Sequence, residues 1–354
     1  MSYPRVSCYA WNSGFGYPWT TTKAQGAPLN LDVIVAAARY PMLTADIAPV
    51  FDPDPVTGRP DISAAIRRAN PKVKLGIYQC LGWTYMDPTY GDLPDWTRRV
   101  WLRALKETNG IGPGGMIRWE QPETERRLTE ALVAVWHSHR GDFFFFDFCW
   151  TNSMPGTRAM QRCIHALKEA GCPVVIGNSE VLDKPPSAFD TEGCMQENWP
   201  NFPIDPHNIR LWRSGRPRKS HDWLQGGTGY ANLDTPDAQR ACRYLHGMAC
   251  MEGMIGSFGP DRDQGVTPPY CTWWQPFYDA SGLGTGWLGE PLGPAQASDV
   301  GSIRRLFANG LVEVNTGSQS YTVNLPKGLC RFDGTEMGSV TVPAKDAVFL
   351  VRAR

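Results

Sequence analysis

The chain has no long apolar run, no excess of either charge, no paired-cysteine spacing and few histidines, and each shortage removes a class of function. No segment approaches the ~18 consecutive apolar residues needed to cross a bilayer, so membrane insertion is not expected. Lys plus Arg number 35 and Asp plus Glu 35 in 354 residues. With no basic stretch long enough to follow a phosphate backbone, nucleic acid is a poor partner. The ten cysteines and six histidines contain no Cys-x-x-Cys and no zinc spacing, so neither metal nor cofactor is expected and the thiols read as reduced core residues. His137 and His139, two apart on a helix, point to different faces and cannot share an ion. Gly110-Ile-Gly-Pro-Gly-Gly115 lacks the Gly-Lys-Ser/Thr of a phosphate loop. Asp52-Pro-Asp54 and Asp261-Arg-Asp263 lack the bidentate Glu of a calcium loop. There is no Gly-x-Ser-x-Gly nucleophile elbow. Residues 1–11 run into a strand with no charged leader and apolar stretch before it. A soluble product is expected, its location open; an extracellular substrate would be met through a removed leader, a virion or cell lysis.

What is abundant is aromatic. Trp occurs 14 times and Tyr 12 times, many beside Gly, Pro, Asn or Asp, where an amphipathic ring suits a sugar face as well as a core. The densest stretch is Gly141-Asp-Phe-Phe-Phe-Phe-Asp147-Phe-Cys-Trp150. A short apolar run opened by Gly and Asp reads as a parallel strand buried on both faces. Its carboxylate then stands where the strand emerges, which in α/β barrels is where chemistry is carried. The plainer alternative for Asp147 is an Asp that begins a turn.

Short apolar strands alternate with amphipathic helices as far as about residue 258, the pattern of parallel βαβ units. Eight strands are expected, over 5–11, 42–47, 74–80, 143–148, 173–177, 192–197, 218–223 and 254–258. A helix is expected over 122–137, with Leu128, Ala131, Leu132, Val135 and Trp136 on one stripe behind Pro122. Eight such units imply an α/β fold, a (β/α)8 TIM barrel. The Gly- and Pro-rich excursion over 81–121 is long enough to shape a pocket. A Gly/Pro-rich link over 282–298 separates the barrel, 1–281, from short alternating runs and turns over 299–354, read as a small all-β domain, a β-sandwich.

Three carboxylates fall at strand exits: Asp147, Glu180 and Glu197. Adjacent barrel strands lie about 5 Å apart, so acids on the fourth and sixth can face one sugar ring. Glycosidic cleavage needs such a pair, one to protonate the leaving oxygen and one to attack or to activate water. Glu180 is a third acid, with a salt bridge or helix cap as its plainer role. Asp46, Tyr78, Gln79, Trp83, Trp150, Asn178, Asn198 and Trp199 surround these positions and are the candidate substrate-binding groups, since a hydroxyl-rich ligand requires directed hydrogen bonds and flat apolar faces.

Phe146-Asp147, Ile176-Gly-Asn178, the Gly193–Glu197 strand end, Leu288-Gly-Glu-Pro-Leu-Gly293 and Arg305-Leu-Phe-Ala-Asn-Gly-Leu-Val-Glu-Val-Asn315 together resemble TIM-barrel glycoside hydrolases with a C-terminal β-sandwich domain. The resemblance covers nearly the whole chain. It implies O-glycosidase chemistry on a polysaccharide or oligosaccharide, with Asp147 and Glu197 as the matching carboxylates; the family's acidic element after strand five is here Asn178-Ser179-Glu180. The alternative is a sugar-binding protein on the same scaffold without turnover, such as a phage virion or cell-surface component, and a homo-oligomeric assembly stays open.

Overall fold

In the computed structural model the described residues are 3, 5–10, 42–46, 62–82, 96–138, 141–147, 154–178, 190–197, 209, 218–226, 235–258, 286–297 and 301–353. The chain divides into two compact units. One is nearly contiguous in sequence, Ala10–Gln196 with Gly215–His221; the other gathers both termini, Met1–Tyr9, Glu197–Ser214 and Asp222–Arg354.

The contiguous unit is built on parallel strands in sequence order: β2 (Met42–Asp46), β3 (Lys74–Cys80), β4 (Phe143–Asp147), β5 (Val175–Asn178) and β6 (Gly193–Glu197). Helices α1 (Ile62–Ala69), α2 (Trp96–Glu107), α3 (Pro122–Ser138) and α4 (Met154–Glu169) alternate with them. The four phenylalanines of β4 are fully buried, as expected of a strand covered on both faces. Phe144 meets Trp136 of α3 at 6.0 Å between ring centroids and stacks on Phe146 at 5.2 Å, so these two face the helix layer. Phe145 stacks instead on Tyr78 of β3 at 6.0 Å, on the opposite face. The stripe on α3 is buried at Leu128, Ala131, Leu132 and Val135.

Register is set at the strand entrances by two carboxylates used alike. Asp142 accepts from the Leu75 amide at 2.9 Å and from Arg67 at 2.9 Å, while its own amide donates to the Leu75 carbonyl at 2.7 Å. Glu192 accepts from the Val175 amide at 2.8 Å and pairs with Lys168 at 2.7 Å. Each acid satisfies a backbone donor that the ladder leaves over, and so pins β3 to β4 and β5 to β6. Gly76 is needed beside β4, because a Cβ there would run into the Phe143 ring.

In the unit of the termini, β7 (Trp223–Gly226), β8 (Ile255–Phe258) and β1 (Val6–Ala10) are also parallel neighbours. The seventh strand thus begins where it was expected to end. Residues 218–222 are polar and form a turn and its flanks, and the strand itself carries only two apolar residues, too few for periodicity to find. Helix α5 (Pro236–Glu252) starts on Thr235, whose hydroxyl accepts from the Ala238 amide at 3.2 Å, with Pro236 in the first turn, and stops at Gly253 with φ 72°.

Helix α5 is buried without interruption from Tyr244 to Met251, because it is covered on two sides. On one side His246 packs on Gly256 of β8, where a side chain would collide with the imidazole; on the other, a Cβ at Gly247 would lie 2.6 Å from Ala347 and 2.8 Å from Val314. Those last two residues belong to an antiparallel sheet in the order β13 (Leu329–Cys330), β15 (Asp346–Arg352), β11 (Gly310–Asn315), β10 (Ser302–Phe307) and β9 (Gln296–Ala297). A two-stranded ribbon, β12 (Tyr321–Asn324) with β14 (Ser339–Val342), meets the other face of β11: Tyr321 donates to Glu313 at 3.1 Å and Asn315 to the Val342 carbonyl at 3.0 Å. Polar ties add to the apolar seam. Arg243 on α5 holds Asp346 with bonds of 2.8 and 2.7 Å, and Arg305 donates to the last carbonyls of α5, Cys250 at 2.7 Å and Met251 at 3.1 Å. Compactness therefore joins β7, β8 and α5 to the C-terminal strands, whereas composition puts its break at the Gly/Pro-rich link.

Candidate active site

The last residue of β4 is Asp147, and the register brings two other candidates to it. Cys80 pairs with Asp147 across β3–β4, and Phe146 with Gly177 across β4–β5, so Asn178 stands beside Asp147. Strand alternation then puts Tyr78, Cys80, Phe145, Asp147 and Asn178 on the face away from α3. Tyr78 donates its hydroxyl to Asp147 Oδ2 at 2.6 Å, and Asn178 donates Nδ2 to Oδ1 at 2.8 Å. All three side chains are buried, Asp147 at 2 % exposure. A carboxylate this far from water is tolerated only when its oxygens are hydrogen-bonded, and here each receives a neutral donor.

The main chain of Asp147 is held as well. Its carbonyl accepts from the Leu81 amide at 2.9 Å, and the Leu81 carbonyl accepts from the indole Nε1 of Trp119 at 2.6 Å. The Ile117 amide reaches the Gly82 carbonyl at 3.0 Å. Residues 110–119, inside the excursion expected to shape a pocket, thus brace the exits of β3 and β4. Trp119 was missed as a supporting residue because its partner is 38 positions away and no local pattern announces it.

Gln79 is placed differently. It lies one residue from Tyr78 and so on the other face of β3, half-buried, with its amide on the Cys80 carbonyl at 2.9 Å. Asp46 closes β2 with its Cα level with Tyr78, and Glu197 closes β6, two residues past Met195, the partner of Asn178; the side chains of both acids lie outside the described set. Glu180, Trp83, Trp150, Asn198 and Trp199 lie outside the described residues altogether. In the other unit Gln225 of β7 and Ser257 of β8 stand level and buried on the face away from α5, polar positions that the sequence did not single out.

Among the described residues no group of three or more His, Cys, Asp or Glu forms a metal-binding cluster, and no helix is long and apolar enough to cross a membrane. Cys80, Cys163, Cys172, Cys194, Cys242, Cys250 and Cys330 are buried. Burial pushes the thiols of Cys163 and Cys250 up to about 12 and that of Cys172 up to about 11, far from the thiolate range of a nucleophile.

No protein-family model matches the sequence, and neither does any curated protein. Solved structures do match, over the full length of the chain. An α-amylase from Anoxybacillus superposes with a TM-score of 0.57 at 10% identity, covering 99% of this chain and 98% of that one. A maltogenic α-amylase from Thermotoga neapolitana gives 0.57 at 9% identity, with 100% of each chain covered. The cyclic α-maltosyl-(1→6)-maltose hydrolase of Arthrobacter globiformis, in complex with maltose, gives 0.54 at 12% identity and 98% of each. The chain has the fold of these glycoside hydrolases. At such identities the likeness is one of fold, and function has to come from the site.

Proposed function

We propose that the chain is a glycoside hydrolase that cleaves O-glycosidic bonds with a pair of carboxylates, Asp147 and Glu197. The observation that carries this reading is the buried, doubly hydrogen-bonded carboxylate of Asp147 at the C-terminal end of β4, in the fold of known amylases. Strand ends of this kind are where (β/α)8 enzymes place catalytic groups, and we take the eight parallel strands to close as such a barrel, followed by a β-sandwich over 299–354. In the proposed reaction Asp147 is the nucleophile or base. Glu197, on β6, protonates the leaving oxygen, and Glu180 is the reserve candidate for that acid. Asp46, Trp83, Trp150, Asn198 and Trp199 are proposed to line the sugar site.

The first polysaccharides to test are those that the similar structures are named for: starch, pullulan and maltose-containing oligosaccharides, followed by bacterial surface polysaccharides. Reducing ends should appear, and Asp147→Asn and Glu197→Gln should each remove most of the release while leaving the circular dichroism spectrum intact. Near-normal activity in both variants would move the site elsewhere. Binding without release over long incubation would replace the enzyme with a glycan-binding protein. Product anomers read by proton NMR in the first minutes separate retention, the outcome for direct attack by Asp147, from inversion through an activated water.

A further inference from the structure

We infer that Tyr78 and Asn178 are positioning residues for Asp147, fixing the orientation of its carboxylate in the ionised form, and do not bind the sugar. The inference rests on the glycosidase reading and adds to it the division of labour inside the site. Both side chains are buried and both spend a donor on the same acid, one on each oxygen: the phenol on Oδ2 at 2.6 Å, the amide on Oδ1 at 2.8 Å. Two donors, one on each oxygen, suit the ionised carboxylate, which only accepts, better than a protonated one, which has a hydrogen of its own to donate. Donors on both sides therefore serve an attacking or proton-accepting group and not a proton donor. They also lock the plane of the carboxylate, the geometry on which attack at a sugar carbon depends.

The surroundings allow this assignment. Phe145, two residues before Asp147, stacks on the Tyr78 ring, so the phenol is oriented by packing and costs no rotamer freedom when it donates. Among the described residues the titratable groups beside Asp147 are Tyr78 and Cys80 on β3; Asp46 closes β2 beside Tyr78, Glu197 closes β6, and β5 offers the neutral Asn178. Helix α3 covers the opposite face of β4, where Phe144 meets Trp136. Strands β3 and β5 carry a single cation between them, Lys74, and it stands at the far, entrance end of β3, exposed and 3.5 Å from Asp142. The two described donors to Asp147 are themselves neutral.

The test uses Tyr78→Phe, which keeps the stacked ring, and Asn178→Ala. Asp-selective 13C labelling gives a carboxyl resonance that Asp147→Asn identifies by deleting it, and its titration needs no substrate. Removing a hydrogen bond to the charged form raises the midpoint, by about one pH unit for either variant. In turnover, kcat should fall about 10- to 100-fold with KM nearly unchanged, since the lost bond acts through Asp147. An unmoved midpoint in both variants, or a raised KM with normal kcat, overturns the inference and returns the two side chains to the sugar. If Tyr78→Phe does not fold, Asn178→Ala carries the same two readouts. The glycosidase reading fails separately, through activity that survives Asp147→Asn, whatever the titration shows.

Discussion

Lowering the pH should destabilise this protein through a single histidine, His246. It is 1 % exposed in the middle of α5, facing Gly256 of β8. Burial pushes its imidazole down from the ordinary 6.5 to about 3, so the folded protein keeps it neutral over the whole mildly acidic range. The unfolded chain takes up the proton below about 6.5. Folding therefore excludes a proton between these two values, and stability falls as the pH is lowered through that window. Between pH 7 and pH 5 the single group costs about 2 kcal/mol, from about 1.36 kcal/mol per unit over roughly one and a half units. The assay is equilibrium urea unfolding at several pH values, comparing the protein with His246→Leu. Carboxylates and exposed histidines contribute alike to both curves. The difference in stability between them should therefore shrink or invert by about 2 kcal/mol on going from pH 7 to pH 5. Parallel curves would show that His246 titrates normally or that its cavity admits water, and would refute the packing argument at β8.

Gly247→Ala should lower stability by about 1–3 kcal/mol in urea unfolding, although alanine is the better helix former, because the new methyl would overlap Ala347 and Val314; a raised midpoint would show that α5 and the C-terminal sheet can separate freely. Asp142→Ala should cost about 1–3 kcal/mol by the same measurement, since the Leu75 amide and Arg67 both lose their acceptor; an unchanged stability would mean that register at β3–β4 is set elsewhere. Deleting residues 299–354 uncovers the α5 face that packs on Val314 and Ala347 and should leave an aggregating remainder on size-exclusion chromatography. A soluble, fully active 1–298 fragment would sink that expectation.

What the sequence made legible followed from local pattern. Phe143–Asp147 announced itself by a run of identical apolar residues ending in an acid, and Asp147 is where that reading put it, at the strand end. The stripe on α3 was equally plain. Strand alternation by itself separates Gln79 from Tyr78, since adjacent residues face opposite sides. The start of β7 was hidden because Trp223-Leu224 is too short a run for a period. Helix α5 shows why amphipathicity is incomplete as a guide. Its second face is apolar only because strands more than sixty residues later return to cover it, as Gly247 against Val314 shows. The brace from Trp119 through Leu81 to Asp147 is likewise a product of tertiary structure.

The division of the chain also bears on which strands can pair early during synthesis. Strands β2 to β6 lie within a nearly unbroken stretch of sequence, so the partners of each strand emerge close together and can pair early. Strand β1 also has a partner far along the sequence. Val6 pairs with Gly256, and the Tyr3 amide donates to the Gly289 carbonyl at 3.0 Å. The edge of β1 that β8 covers therefore stays open until some 250 further residues have been made. A permuted gene that places β1 directly after β8 would remove that delay.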